Sequence, residues 1–216
     1  MFAASLSHIE AYAALLCDDG VTRGLIGPRE VPRIWERHLL NCGLLSEAIP
    51  QGAEICDVGS GAGLPGLVLA LLRPDLRVSL VEPLQRRATF LSEACERLHA
   101  SNVEVIRARA EDLHGERDFE VVTARAVAPL ARLVGWAVPL VRPTGVLLAM
   151  KGARAAEEVS DARRALRKLR AGQVSVATYG TGIIDPPTTV VRVEAAPSQR
   201  LGWASSTSEG SEGQRG

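Results

Sequence analysis

The densest chemical signal in the chain is one unbroken run, Asp57-Val58-Gly59-Ser60-Gly61-Ala62-Gly63-Leu64-Pro65-Gly66. Its glycines allow a tight turn and let a ligand approach the backbone with no Cβ in the way. Dinucleotide enzymes carry such a loop too, and in them the next helix holds a pyrophosphate anion at its N-terminus. Asp57, directly before the loop, changes that chemistry, because a carboxylate repels pyrophosphate and attracts a cation. S-adenosylmethionine suits it: it has no phosphate, its amino-acid end carries an ammonium and its sulfur is cationic. The backbone at Gly59 and Gly61 and the apolar wall at Leu64 would complete the cradle. The plainer role for Asp57 is a turn or helix-cap carboxylate.

Further candidates follow at strand ends, where open α/β sheets place their ligands. Glu82 closes the second predicted strand, roughly 20 residues past the loop, where a carboxylate can accept from ribose hydroxyls; its plainer role is a strand-end surface charge. Ala110 and Glu111 follow the third strand, within reach of an adenine, although an acid-rich helix start reads almost the same way. Arg125 follows the fourth strand and is a candidate for a cofactor carboxylate, an RNA phosphate or the target base. The Asn/Asp-Pro-Pro-Tyr/Phe signature of many amine-methylating enzymes is absent there. Arg37, His38, Arg86 and Lys151 are candidate RNA contacts. His38 sits on an otherwise apolar helix face, the usual setting of a satisfied, half-buried histidine. Arg86 and its neighbour Arg87 also read as a solvated helix face, as does the basic run Arg163, Arg164, Arg167, Lys168 and Arg170.

The elements that must position these groups are legible in periodicity. Helical spacing of Leu6, Ile9, Ala13, Leu16 and Cys17 predicts a first helix, broken by Gly20, Gly24, Gly27 and Pro28. A second is predicted over Val31–Ser46. Strands are predicted at Glu54–Val58, Arg77–Glu82, Val103–Arg107, Phe119–Ala124 and Gly145–Lys151, alternating with helices at Leu64–Leu72, Leu84–Leu98, Leu130–Leu140 and Glu157–Leu169. Val174–Tyr179 and Thr189–Glu194 read as an antiparallel pair. Such alternation predicts an α/β fold: a Rossmann-like, mostly parallel seven-stranded sheet flanked by helices. Residues 1–50 form a helical extension packed on the core, 51–196 the Rossmann-like domain, and 197–216 a Ser/Gly/Glu-rich tail expected to be disordered.

Composition excludes several classes. The 216 residues suffice for one domain with a sizeable core, and 46% hydrophobic with 23% charged is an ordinary globular balance. No apolar run reaches membrane-spanning length and no signal peptide is recognisable, so a cytoplasmic protein without membrane contact is expected. Cys17, Cys42, Cys56 and Cys95 show no CxxC spacing, which favours free thiols and no metal. The formal net charge of zero does not advertise a nucleic-acid partner. All but Lys151 and Lys168 of the basic residues are arginines, which reads as composition bias and not as phosphate binding.

Taken in order, Arg37-His38-Leu39-Leu40-Asn41, the glycine loop with Leu64-Pro65-Gly66, Glu82 with Arg86-Arg87 and Phe90-Leu91, Arg109-Ala110-Glu111, Thr123-Ala124-Arg125-Ala126-Val127-Ala128 and Leu148-Ala149-Met150-Lys151-Gly152 resemble the RsmG family, also called GidB or glucose-inhibited division protein B. The resemblance covers roughly residues 5 to 195. It implies a class I methyltransferase that uses S-adenosyl-L-methionine to methylate N7 of a guanosine in 16S rRNA of the small ribosomal subunit. By matching position it implies cofactor contacts at Gly59, Leu64, Ala110, Glu111 and Arg125. Guanine N7 has a lone pair and no proton to lose, so no general base is expected; positioning carries the reaction. A monomer is expected. Three alternatives stay open: a small-molecule methyltransferase of the same fold, a non-catalytic ribosome-assembly RNA-binding protein, and a nicotinamide oxidoreductase, the last opposed by Asp57 and by the lack of a Tyr-x-x-x-Lys pair.

Overall fold

The computed structural model describes residues 5–195, and the tail from 197 onward lies outside them. Its centre is a seven-stranded sheet of order β3-β2-β1-β4-β5-β7-β6. The strands are β1 (Glu54–Val58), β2 (Arg77–Val81), β3 (Val103–Ile106), β4 (Phe119–Arg125), β5 (Val141–Lys151), β6 (Val174–Tyr179) and β7 (Thr188–Glu194). The first five run parallel, and β7 pairs antiparallel with both β5 and β6. Strand order reverses at β1, whose neighbours are β2 and β4, and the cleft at such a switch point is where this architecture binds ligands.

Alternation along the central strands sorts side chains onto two faces. Ile55, Val121 and Leu148 enter one apolar cluster, with α1 (Leu6–Leu15), the rest of the helical extension, α3 (Gly66–Leu72) and α4 (Gln85–Arg97). Cys56, Val122 and Leu147 enter the other, under α5 (Leu130–Ala137) and α6 (Ala155–Lys168). The same parity decides where the site's acid points. Asp57 shares its face with Ile55 and lies in register with Thr123 of β4, so both side chains face α3.

The helical extension is less regular than its periodicity predicts. The expected helix over Val31–Ser46 is a succession of short pieces: a 3₁₀ stretch at Pro28–Arg33, a wide π turn at Ile34–Leu40, α2 (Asn41–Gly43) and a 3₁₀ end at Leu44–Ala48. Pro28 and Pro32 remove amide donors where an α-helix would start, and the chain tightens in response. The wide turn then buries Ile34, His38 and Leu39 together. Gly180, at a positive φ, abuts Leu44, while the Thr188 hydroxyl donates to the Asn41 carbonyl at 3.0 Å. The extension is therefore fastened to the far, antiparallel end of the sheet as well as to its centre.

Helix α3 lies on the sheet without clearance. A Cβ at Gly66 would stand 2.4 Å from Leu80 Cδ2 and 2.7 Å from Asp57 Cβ. Gly66→Ala is predicted to cost about 1–3 kcal/mol in urea unfolding through this overpacking. Gly135→Ala is predicted to do the opposite. Gly135 is a helical residue of α5 with open space where its Cβ would be, and an alanine there is expected to add about 0.5–1 kcal/mol.

Candidate active site

A cavity of about 830 Å³ opens at the carboxyl ends of β1, β2, β3 and β4. Its walls include Gly59, Gly61, Leu64, Glu82, Ala110, Glu111 and Arg125, seven of the eight residues singled out as cofactor contacts. Gly59 and Gly61 have φ of +68° and +59°, and a Cβ on Gly59 would meet the Val127 side chain at 2.9 Å. Both the backbone angle and the crowding require glycine at that position. Ala110 is buried, and it begins a short 3₁₀ turn after β3 where the Asp112 carboxylate accepts from the Arg109 amide at 3.0 Å.

The eighth residue, Asp57, is placed elsewhere. Its carboxylate is fully buried beneath the loop, outside the cavity wall. One oxygen accepts from the Gly66 amide at 3.0 Å and the other from the Thr123 hydroxyl at 3.0 Å. Direct contact with a ligand gives way to a positioning role, the helix-cap alternative, and strand parity is the reason. The consequence for ligand choice survives in altered form. The amide that would meet a pyrophosphate at the start of α3 is already taken, and by a carboxylate. Burial pushes the Asp57 carboxyl up to about 6, against the opposing pull of its hydrogen bonds to Gly66, Thr123 and Ser60 and the charge of Arg125.

Glu82 is almost wholly buried at the end of β2. Its carboxylate accepts from the Gly61 amide and the Leu84 amide, both at 3.0 Å, with Arg87 Nη1 at 3.9 Å. It therefore holds the loop's backbone open while facing the cavity. Arg87 lines the cavity and Arg86 does not: Arg86 is exposed on α4. The Arg87 Nε is buried without a hydrogen-bond partner among the described residues, the kind of donor that a ligand's oxygen would satisfy.

Arg125 reaches into the helical extension. Its guanidinium donates to the Arg37 carbonyl at 3.1 Å and to His38 Nδ1 in a short contact, with Cys42 Sγ at 3.6 Å. A guanidinium has no acceptor, so His38 Nδ1 must accept and Nε2 carries the proton. That proton points to Glu30 Oε2 at 2.9 Å. His38 is a satisfied, buried histidine, and burial followed by the charge of Arg125 depresses its pKa. Arg37, half-exposed, lies near Glu30 Oε2 at 3.4 Å.

Glu30, His38, Arg125 and Ala126 also line a second cavity of about 900 Å³, bounded further by Arg33, Arg37, Met150, Lys151 and residues 183–186 of the β6–β7 loop. Lys151 stands on its wall, but its ammonium is committed to Glu158 at 2.8 Å and to the Ala128 carbonyl at 2.7 Å. It braces the segment after β4 and offers no free charge to RNA. Tyr12 of α1 is a contributor that periodicity did not single out. Fully buried, it donates its hydroxyl to the Ala62 carbonyl of the glycine loop at 2.6 Å, and burial raises its pKa well above the ordinary value. The spacing from Ile9 and Leu16 puts Tyr12 on the packed face, but its polar end finds its partner 50 residues away.

A family model described as GidB, rRNA small subunit methyltransferase G, matches residues 5–184. The chain belongs to this family. The ribosomal RNA small subunit methyltransferase G of Thermobifida fusca is 54% identical over 202 residues, covering 94% of this chain and 85% of the relative. That of Streptomyces avermitilis is 58% identical over 188 residues, covering 87% and 79%. Among solved structures, a Corynebacterium glutamicum protein superposes with a TM-score of 0.57 at 19% identity over 86% of this chain and 90% of that one. An rRNA methylase from Streptococcus thermophilus superposes with a TM-score of 0.51 at 17% identity over 73% and 95%. These structural likenesses carry the Rossmann-like methyltransferase fold, as the alternation of strands and helices predicts.

The buried acid gives a pH signature. With a folded value near 6 against the ordinary 3.8, Asp57 favours the native state when protonated, and its contribution to stability declines as pH rises through that window. Asp57→Asn keeps an acceptor for the Gly66 amide and has no charge to bury. Urea unfolding is predicted to show the variant gaining on the parent protein from about pH 4 to about pH 7, by up to about 3 kcal/mol. Asp57→Ala strands the amide and is predicted to lose about 2 kcal/mol. A gap between parent and Asn variant that stays flat with pH would count against the raised pKa.

Proposed function

We propose that this methyltransferase transfers a methyl group from S-adenosylmethionine to N7 of a guanosine in 16S rRNA of the small ribosomal subunit, as a cytoplasmic monomer. The observation that carries the cofactor assignment is the cap on α3: a buried carboxylate occupies the amide a pyrophosphate would need, while the cavity above it is lined by glycine backbone and a second carboxylate. The family match supports the substrate class.

Bound S-adenosylmethionine supplies an electrophilic methyl group on a sulfonium. Everything else falls to the chain's own residues. Gly59 and Gly61 would present backbone to the amino-acid end, Glu82, fixed by the Gly61 and Leu84 amides, would meet the ribose, and Ala110 with Glu111 would border the adenine end. Leu64, Leu84 and Val127 supply apolar wall. Arg125, held by His38 and the Arg37 carbonyl, keeps the end of β4 registered against the helical extension. Because N7 attacks with a lone pair, no residue has to remove a proton. His38, neutral and doubly bonded, fits a site that orients and does not shuttle protons. In-line placement at near-attack distance is the main contribution asked of the protein.

Among the groups read as RNA contacts, Arg37 and Arg86 are exposed, whereas Lys151 is not. Labelled methyl transfer to small subunits lacking the modification, with mass mapping, is expected to give one methyl at guanine N7. Tight cofactor binding with no methyl on RNA would favour a small-molecule substrate, and RNA binding without turnover an assembly factor. Arg37→Ala and Arg86→Ala are each predicted to reduce the salt slope of RNA binding by about 1. Lys151→Ala is predicted instead to leave that slope unchanged and to cost about 1–2 kcal/mol of stability, since it strips a partly buried carboxylate of its partner.

A further inference from the structure

The second cavity has no role in the account above. We propose that it receives the target guanosine, swung out of the RNA, and that Asp185 reads the Watson–Crick edge of its base. The proposal rests on the guanine-N7 reading and names the residue that makes it guanine.

The two cavities share Glu30, His38, Arg125 and Ala126, so the second lies directly beside the first, across these side chains. The second cavity's walls suit a purine. Met150, Ile183, Ile184 and Pro186 supply apolar surface, and Ile183 is 64% exposed, an apolar group that a stacked ring would cover. Arg33 and Arg37 stand one helical turn apart on the same rim, where backbone phosphates flanking an extruded base would pass.

Asp185 is the polar group that discriminates. It is exposed on the β6–β7 loop, lines the cavity, and is engaged by no hydrogen bond or ion pair among the described residues. A carboxylate accepts through both oxygens. Guanine presents two adjacent donors, N1–H and the 2-amino group, which match it, while adenine presents a bare N1 that it repels. Both purines have a nucleophilic N7, so the methyl chemistry alone does not choose between them. With the Watson–Crick edge held at Asp185, N7 on the opposite ring turns away from the loop and toward the shared wall. That wall carries a second mark. Ala126 has φ of +56°, a left-handed conformation uncommon for a non-glycine residue and concentrated at functional sites.

The test is a titration of the S-adenosylhomocysteine-loaded protein with guanosine, inosine and adenosine 5′-monophosphates, in the parent protein and in Asp185→Asn. Inosine lacks only the 2-amino group. The parent is expected to bind the guanosine nucleotide about tenfold more tightly than the inosine nucleotide, and adenosine more weakly still. Asp185→Asn is expected to lose that preference while binding S-adenosylhomocysteine as the parent does, which shows the first cavity intact. Equal affinity of the parent for guanosine and inosine, or a preference that survives in the variant, overturns the proposal. A preference that vanishes with Asp185, in a protein that places no methyl at N7, would support the pocket and overturn the N7 reading instead.

Discussion

Asp57 holds the α3 amide of Gly66 with one oxygen and the β4 hydroxyl of Thr123 with the other, and it does so with no contact to water. Three elements are thereby locked at one point, the ends of β1 and β4 and the start of α3. The glycine loop has to span from the first to the last of these, so its course is set by the lengths of two hydrogen bonds. Burying a carboxyl group is costly unless it is fully engaged, and here each oxygen has a donor. Within that span the loop presents backbone, and its positive φ and the side chains packed against it require residues as small as Gly59 and Gly66.

The helical extension closes the site from the other side. Tyr12 reaches the loop at Ala62, and Glu30, His38 and Arg125 run in a line of hydrogen bonds from the extension to the end of β4. Each donor in that line has one geometry open to it, because arginine cannot accept and histidine's two nitrogens must then take opposite roles. The extension is thus a wall of both cavities and not an ornament on a Rossmann-like core. Glu82 plays the matching part on the β2 side, pinning Gly61 and Leu84 by their amides.

Much of this was legible in the sequence. Every strand was foreseen to within a few residues, because buried parallel strands are short apolar runs bounded by turn residues. Of the seven cavity-lining residues, Gly59, Gly61 and Leu64 are marked by the glycine loop, Glu82, Ala110, Glu111 and Arg125 by the rule that ligands sit at carboxyl strand ends, and the family resemblance implies all but Gly61 and Glu82. What escaped reading was direction. Nothing in the one-dimensional pattern says that Asp57 faces downward to α3, since that depends on which face of the sheet Ile55 occupies. Lys151 likewise sits at a strand end as expected, and only the position of Glu158 on α6 shows its charge to be spent. Tyr12 and the irregular turns after Pro28 depend on tertiary partners that local propensity does not encode.

The bond between Thr188 and Asn41 spans 147 residues, and Gly180 rests against Leu44. Chains are made from the N-terminus at a finite pace, about 5–20 residues per second. The helical extension is made well before the surfaces that complete its packing, since Thr188 follows Asn41 by 147 residues. For several seconds it must therefore wait with Leu44 and its neighbours uncovered, and the last two strands act as the closing stitch. The nascent chain thus presents an unfinished apolar edge until its antiparallel strand pair is made.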